Sequence, residues 1–127
     1  MKYFDKLSGA VEKAFSCRGV DPENLKYCVK ADLDGDGCYY DVYIAFDGEK
    51  LYLLSGYDRL QKRGRHYDAG FDFKDFAEYP VKDIESLTVD RYTYASRLMA
   101  TFSDGKDVPL ARFSAGFGEK FGQVCRR

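Results

Sequence analysis

The feature that most constrains this chain is a two-residue alternation of apolar and polar side chains, interrupted by short Asp-Gly turns. From Tyr27 to Leu33 every second side chain is apolar, and a second such run spans residues 40–46. Alternation of this kind puts the apolar residues on one face of a β-strand. The dipeptides Asp47-Gly48 and Asp104-Gly105 favour tight hairpins between neighbouring strands. The sequence therefore predicts a mainly β chain built from antiparallel hairpins.

Further strand candidates follow along the chain. They span residues 50–55, 71–76, 84–92, 97–102 and 108–113, and Phe76 interrupts the alternation of the second. Pro109 cannot donate a ladder hydrogen bond, so it predicts an edge position or a bulge. Residues 56–68 contain few apolar side chains. We expect them to form a long exposed loop.

Helical spacing of apolar residues occurs near both ends of the chain. Phe4, Leu7, Val11, Ala14 and Phe15 predict an amphipathic helix over about residues 3–17, ending near Gly19. Ser114 is a candidate N-cap for a closing helix, whose apolar stripe is Phe117, Phe121 and Val124. We therefore divide the chain into an N-terminal helical segment, residues 1–20, and one globular unit, residues 21–127.

Composition and charge narrow the class of protein. The chain has 127 residues, of which 45% are hydrophobic and 32% charged, as in soluble globular domains. Its 20 basic and 21 acidic side chains nearly cancel, so no nucleic-acid partner is expected. No apolar run approaches the roughly 18 residues that cross a bilayer, and no signal region opens the chain. We expect a cytoplasmic location, with membrane association only through a longer parent chain.

The four cysteines fit that location. Cys17, Cys28, Cys38 and Cys125 form no CxxC pair and have no histidine at metal-ligand spacing. Scattered buried thiols are favoured over two disulfides, and a zinc site is not expected. Cys28 falls on the polar side of its strand, which predicts an exposed thiol.

The acidic run Asp32-Leu33-Asp34-Gly35-Asp36-Gly37 matches the opening of a calcium-binding loop. The twelfth position of that loop would be Tyr43, where a bidentate Glu is required, and the flanks are predicted strands. An acidic turn is the favoured interpretation. Weak calcium binding at Asp32, Asp34 and Asp36 remains the alternative.

Two groups of residues are candidate contact surfaces. The basic side chains Lys62, Arg63, Arg65 and His66 could contact an anionic group, although a solvated loop is favoured. Tyr39 and Tyr43 lie on the outward side of the second strand, and with Tyr52 they are candidate protein contacts.

No catalytic constellation is visible in the sequence. The chain has one histidine, no defensible Ser/His/Asp or Cys/His arrangement, and no Walker A loop. We expect no cofactor and no enzymatic activity. A small enzyme whose catalytic residues are distant in sequence remains an alternative.

Two stretches carry a family resemblance. The run VYIAFDGEKLYLL (residues 42–54) resembles a hairpin common in bacterial pleckstrin-homology (PH)-like and GRAM-like domains. A second stretch, from VKDIESL (81–87) through DGK (104–106) to LARFS (110–114), is similar as well. The latter half is also similar to the cytosolic N-terminal region of some bacterial ABC transporters with fused permease and ATPase. The likeness covers about residues 25–127.

The resemblance implies a bent antiparallel barrel of about seven strands with a C-terminal helix, and the N-terminal helix is then an addition. It implies a non-catalytic binding or regulatory module that docks on proteins, including other domains of a parent chain. The chain is then expected to be cut from a longer protein, located on the cytosolic face of the membrane. Phosphoinositide-binding members carry basic residues after the first strand, where this chain has Asp32, Asp34 and Asp36. Because carboxylates repel phosphate, protein docking is the first reading, and an anionic ligand or membrane surface at residues 59–66 is the second.

Overall fold

The computed structural model describes residues 3–4, 9–31, 33–38, 40–91 and 95–114, without the side chains of residues 3–4, 60–63, 66–69, 95 and 114. These residues form one helix, α1 (Gly9–Ser16), and nine strands. The strands are β1 (Tyr3–Phe4), β2 (Tyr27–Ala31), β3 (Leu33–Asp34), β4 (Asp41–Phe46), β5 (Lys50–Arg63), β6 (His66–Pro80), β7 (Ile84–Arg91), β8 (Ala95–Phe102) and β9 (Asp107–Ser114). Short 3₁₀ turns lie at Pro22–Asn24 and Val81–Asp83.

The described strands form two sheets. The first has the order β1-β2-β4-β5-β6, and the second has the order β3-β9-β8-β7. Every pairing is antiparallel except β1 with β2. The prediction of a mainly β chain is therefore confirmed, while the two sheets do not close into one continuous barrel among the described residues.

Both predicted Asp-Gly hairpins are present. Gly48 and Gly105 have φ values of +102° and +86°, which glycine adopts without the steric cost that a Cβ would bring. The Asp47 carboxylate accepts hydrogen bonds of 2.8 Å from the backbone N–H groups of Glu49 and Lys50. These local contacts fix the turn, and with it the register of β4 against β5.

The first sheet is buried on both faces. Val42, Tyr43, Ile44 and Ala45 are four consecutive buried residues of β4. Val42 and Ile44 belong to the core between the two sheets, whose other half includes Leu98 and Phe113. Tyr43 and Ala45 belong to a second core on the opposite face of the first sheet. The described residues thus form three layers, which are a helix, the first sheet and the second sheet.

Helix α1 covers the second core. Val11 and Phe15, four residues apart, are fully buried against it, as the helical spacing predicts. The helix begins later than predicted, because Tyr3–Phe4 forms β1 and pairs in parallel with Tyr27 and Cys28. The edge of β2 gives these aromatic residues ladder hydrogen bonds and so favours the strand over the helix. The predicted end of the helix is confirmed, since Gly19 follows it with a φ of +82°.

The predicted loop over residues 56–68 is wrong. Strands β5 and β6, of 14 and 15 residues, form one long hairpin whose turn is Gly64-Arg65. Strand β4 pairs with β5 only as far as Gly56, so beyond it β5 and β6 pair only with each other among the described strands. We call residues 57–72 the projecting ribbon, and we call residues 56–58 and 71–73, where it leaves the sheet, the ribbon root. Polar composition misled the prediction, because a two-stranded ribbon needs no apolar face toward a core.

The remaining predictions have mixed outcomes. The strands predicted at residues 84–92, 97–102 and 108–113 correspond to β7, β8 and β9. A register shift places Pro109 opposite Met99 while Ala111 faces Leu98, which confirms the bulge predicted from the proline. The predicted closing helix lies outside the described residues. No described helix combines the length and apolarity needed to span a membrane.

Replacing the buried aromatic ring of the helix tests the three-layer arrangement. Phe15→Ala removes a fully buried side chain, and we expect the free energy of unfolding to fall by about 3–5 kcal/mol. Urea unfolding followed by circular dichroism measures it. Lys13→Ala, at an exposed position of the same helix, is the control and should change it by less than about 0.5 kcal/mol. A similar, small effect of both variants would mean that α1 does not cover the sheet.

Candidate functional site

A β-bulge in the first sheet sets the geometry of the candidate site. Ser55 pairs with Asp75 and Gly56 with Phe73, which leaves Lys74 as an extra residue in β6. An extra residue resets the alternation of the strand. Phe76 stacks on Tyr52 on the helix-facing side, and Arg18, just after α1, lies 3.8 Å from the ring centre of Phe73.

Gly56 permits this close approach of the two strands. A Cβ at residue 56 would lie 2.2 Å from the Asp72 carbonyl oxygen and 2.5 Å from Cζ of Phe71. Both distances are far below van der Waals contact. The glycine is therefore required by the backbone geometry at the bulge.

The bulge opens on a cleft between the two sheets. Its volume is about 200 Å³, and β3, β5, β6 and β9 contribute its walls. The apolar part includes Leu53, Ala77, Tyr79 and Leu110, while the polar part includes Asp34, Asp36, Ser55, Lys74 and Asp75. We call this space the inter-sheet cleft.

An ion pair joins the two sheets across the cleft. Lys74 Nζ lies 2.5 Å from Oδ2 of the buried Asp34, so a β6 side chain contacts β3 directly. The other oxygen of Asp34 accepts hydrogen bonds from the backbone N–H groups of Asp36 (3.1 Å) and Cys38 (3.0 Å). Burial alone would raise the pKa of Asp34, but Lys74 and the two backbone donors lower it below its ordinary value. The hydrogen bond to Asp34 raises the pKa of Lys74, although burial acts against it.

Two tyrosine rings extend this site onto the projecting ribbon. Lys74 Nζ lies 3.8 Å from the ring centre of Tyr40, a cation–π contact. The rings of Tyr40 and Tyr57 are 4.6 Å apart between centres and tilted by 49°. Tyr57 is 47% exposed. An aromatic surface therefore continues from the mouth of the cleft to the root of the ribbon.

A second polar network holds the ribbon root on the helix-facing side. Lys30 Nζ lies 2.8 Å from Asp58 and 3.6 Å from Asp41, and the hydroxyl of Tyr43 donates to Asp58. Burial, then the hydrogen bond to Asp58, raises the pKa of Tyr43 well above its ordinary value. Burial lowers the pKa of Lys30, but Asp58 and Asp41 together raise it above the ordinary value. The network keeps Lys30 charged and Tyr43 neutral, which suits a structural tie between β2, β4 and β5.

The tyrosines predicted as exposed contacts have a different role. Tyr43 and Tyr52 are 5% and 7% exposed, and they pack beneath α1 with Cys28, which is fully buried. The predictions that these tyrosines and the Cys28 thiol are exposed are therefore wrong. The cause is the helix layer, which covers the face that strand alternation alone assigns to solvent. Tyr39 lies outside the described residues.

The predicted anion-contact residues cluster at the tip of the ribbon. Lys62 and Arg63 end β5, Arg65 is exposed in the turn, and His66 begins β6 opposite Arg63. The side chains of Lys62, Arg63 and His66 are outside the described part of the chain. Their anion-contact role stays a prediction.

The acidic turn is occupied by internal contacts. Both carboxylate oxygens of Asp34 have partners, Asp36 is exposed, and Asp32 lies outside the described residues. Within the described ranges no group of three or more His, Cys, Asp or Glu side chains could hold a metal ion. Among the described cysteines, Cys17 and Cys38 are exposed, which differs from the predicted buried thiols.

Lys74 and Tyr57 are not among the site residues predicted from the sequence. The signal for Lys74 is the break in alternation at Phe76, since a strand that keeps three phenylalanines on one side at positions 71, 73 and 76 requires one extra residue. Nothing local pairs Lys74 with Asp34, which lies 40 positions earlier. Their contact depends on the packing of the two sheets.

Glycine 56 provides a test of the bulge. Gly56→Ala forces a Cβ against the Asp72 carbonyl, and we expect a loss of roughly 1–3 kcal/mol in unfolding free energy. Thermal and urea unfolding measure it. Gly9→Ala, where nothing lies within 4 Å of the added Cβ, is the control, and it should leave stability unchanged or slightly raised because alanine favours helices. Equal effects of the two substitutions would contradict the bulge geometry.

The ion pair predicts a pH-dependent stability difference. Because the folded-state pKa of Asp34 lies below its ordinary value of 3.8, its contribution is present above that value and is lost as the pH falls through the lower folded-state pKa. We expect Lys74→Met to lower stability by about 1 kcal/mol at pH 7, since solvent screens the partly exposed ammonium. The deficit should shrink below about pH 4.

Urea unfolding of wild type and variant from pH 2.5 to pH 8 measures this difference. Lys106→Met removes an exposed lysine whose Nζ lies 3.9 Å from Asp104, and it should have little effect at any pH. A deficit for Lys74→Met that stayed constant to the lowest pH would show that lost packing, and not charge, is responsible.

Comparisons with known proteins identify no relative of this chain. No family model, no curated protein and no solved structure matches the chain.

Proposed function

We propose that this chain is a non-catalytic docking module of the PH-like type. In this proposal it is the cytosolic N-terminal domain of a bacterial ABC transporter, and it acts by contacting another protein or another domain of its own parent chain. The sequence resemblance at residues 42–54 and 81–114 is the source of the family and transporter parts of the proposal.

The order of strands supports the PH-like part. If β2 and β3 are counted as one strand that takes part in both sheets, the chain from β2 to β9 has seven successive strands. Strand β5 pairs with both β4 and β6, and β8 pairs with both β7 and β9. On that count, the order of strands matches that of a bent antiparallel barrel.

The observation that carries the docking proposal is the projecting ribbon with exposed aromatic rings at its root. Tyr57 and Phe73 are the exposed large hydrophobic residues among those described, at 47% and 44%. They belong to adjacent cross-strand pairs, so they point to opposite faces of the ribbon. An isolated two-stranded ribbon is marginally stable in water, and exposed aromatic rings are enriched at protein interfaces. A partner that covers the ribbon root would stabilise the ribbon and remove the two exposed rings from water.

A second candidate function uses the ribbon tip. Hairpin pairing brings Lys62, Arg63, Arg65 and His66 together at the turn of the ribbon, the end farthest from the ribbon root. Such a tip would attract an anionic ligand or an anionic membrane surface, and screening by salt would weaken the attraction. Binding to anionic liposomes that disappears as salt is added would favour this second function.

Site-specific photo-crosslinking in the natural host tests the docking function. Benzoylphenylalanine replaces Tyr57 or Phe73 in the full native chain, and in a control chain it replaces Glu85, an exposed residue of β7 in the second sheet. We expect discrete light-dependent adducts from positions 57 and 73 and none from position 85. Mass spectrometry then identifies the crosslinked peptide as part of another protein or of the same parent chain.

One crosslinking result would contradict the docking function. Equal, weak adducts from all three positions would mean that the ribbon root is not a contact surface. The docking function would then fail, whichever family the chain belongs to.

A further inference from the structure

We propose that the inter-sheet cleft receives a lysine or arginine side chain from the docking partner. This inference rests on the proposed docking function and names the chemistry of the contact. It concerns the cleft walls formed by Asp36, Ser55 and Asp75, and not the aromatic rings of the ribbon root. Three features of the cleft point to such an occupant.

The first feature is the size and lining of the cleft. Its volume of about 200 Å³ is below the roughly 300–1,000 Å³ typical of sites for drug-sized ligands. One long side chain is a better match than a cofactor. Leu53, Ala77 and Leu110 form the smaller, apolar part of a mostly polar lining. The methylene groups of lysine or arginine can lie against that part while the charged head stays near the polar groups.

The second feature is the balance of charge. Asp34, Asp36, Asp75 and Lys74 are the charged residues of the lining. Asp34 and Lys74 neutralise each other at 2.5 Å, so Asp36 and Asp75 leave the cleft with an excess of negative charge. Asp75 accepts a backbone hydrogen bond from Phe76, which uses one oxygen only. A cationic head is therefore favoured, and a phosphate or carboxylate head is repelled.

The third feature is the hydroxyl of Ser55. This residue is only 9% exposed and lines the cleft. No hydrogen bond joins its side chain to any other residue that the structure describes. The hydroxyl faces the open cleft, so it can take a hydrogen-bond partner from outside the fold. An ammonium or guanidinium group in the cleft would donate that hydrogen bond.

Small-molecule probes test the cleft directly. The probes are n-butylammonium, which reproduces the lysine stem and head, with n-butanol and butyrate as neutral and anionic counterparts. Titrations of ¹⁵N-labelled protein are followed by NMR. We expect saturable shifts with butylammonium at the amides of Ser55, Asp75, Phe76 and Ala77, weaker shifts with butanol and none with butyrate.

Charge variants separate the cleft from the surface as a whole. Asp36→Asn with Asp75→Asn should weaken butylammonium binding roughly tenfold, because two carboxylate contacts of ordinary surface strength are lost. Glu23→Gln with Glu85→Gln removes the same charge at exposed positions away from the cleft and should leave binding unchanged. Ser55→Ala, measured alone, should also weaken binding. Dispersed NMR spectra identify the variants that fold. The comparison of the three probes on the wild-type protein remains a test even if a variant fails to fold.

Two results would overturn the inference. One is the absence of saturable butylammonium binding, or equal binding of all three probes, even if crosslinking at Tyr57 and Phe73 succeeds; docking would then stand without this cleft contact. The other is concentration-dependent self-association in sedimentation that is lost in the Asp36 and Asp75 double variant. The occupant would then be a cationic side chain of a second copy, and not one of a partner protein.

Discussion

Burial of the first sheet on both faces is the constraint on which the rest of the structure depends. An antiparallel sheet can leave one face in water, but in β4 four consecutive side chains from Val42 to Ala45 are buried. One face therefore needs the second sheet and the other needs α1. The first sheet is then least covered beyond the end of β4 and at the gap between β6 and the second sheet. The projecting ribbon and the inter-sheet cleft occupy these two places.

The bulge at Lys74 links that constraint to the site. Without the extra residue, Phe73 and Phe76 could not both lie on the helix-facing side of β6, and one of them would turn toward the cleft. The bulge resolves this conflict and frees Lys74 to contact Asp34 in the other sheet. Gly56 is the matching feature of β5, since the strands approach too closely there for any Cβ. Packing of the helix core and formation of the cleft therefore follow from one irregularity in the ladder.

Local features of the fold could be predicted from the sequence, while features that depend on a third layer could not. The hairpins at Asp47-Gly48 and Asp104-Gly105 are encoded by two residues each, and the helix core by the spacing of Val11 and Phe15. The burial of Tyr43, Tyr52 and Cys28 depends on where α1 packs, and strand alternation does not contain that information. A nearly continuous apolar run from Val42 to Phe46 is the signal for burial on both faces. The prediction that Tyr43 and Tyr52 are exposed was wrong for that reason.

The charge balance of the whole chain conceals a separation of charge along it. A formal net charge of −1 is an average over the basic residues at the ribbon tip and the carboxylates around the cleft. Near-neutral composition argues against a partner that is attracted by net charge, such as nucleic acid. It does not argue against a partner that contacts a local arrangement of charges. The cleft and the ribbon root are also one surface, because Lys74 contacts Tyr40 and Tyr40 contacts Tyr57. A single extended segment could place a cationic side chain in the cleft and an apolar one on Tyr57. Specificity would then come from the spacing of those two side chains, which the bulge and the ribbon root fix in the fold.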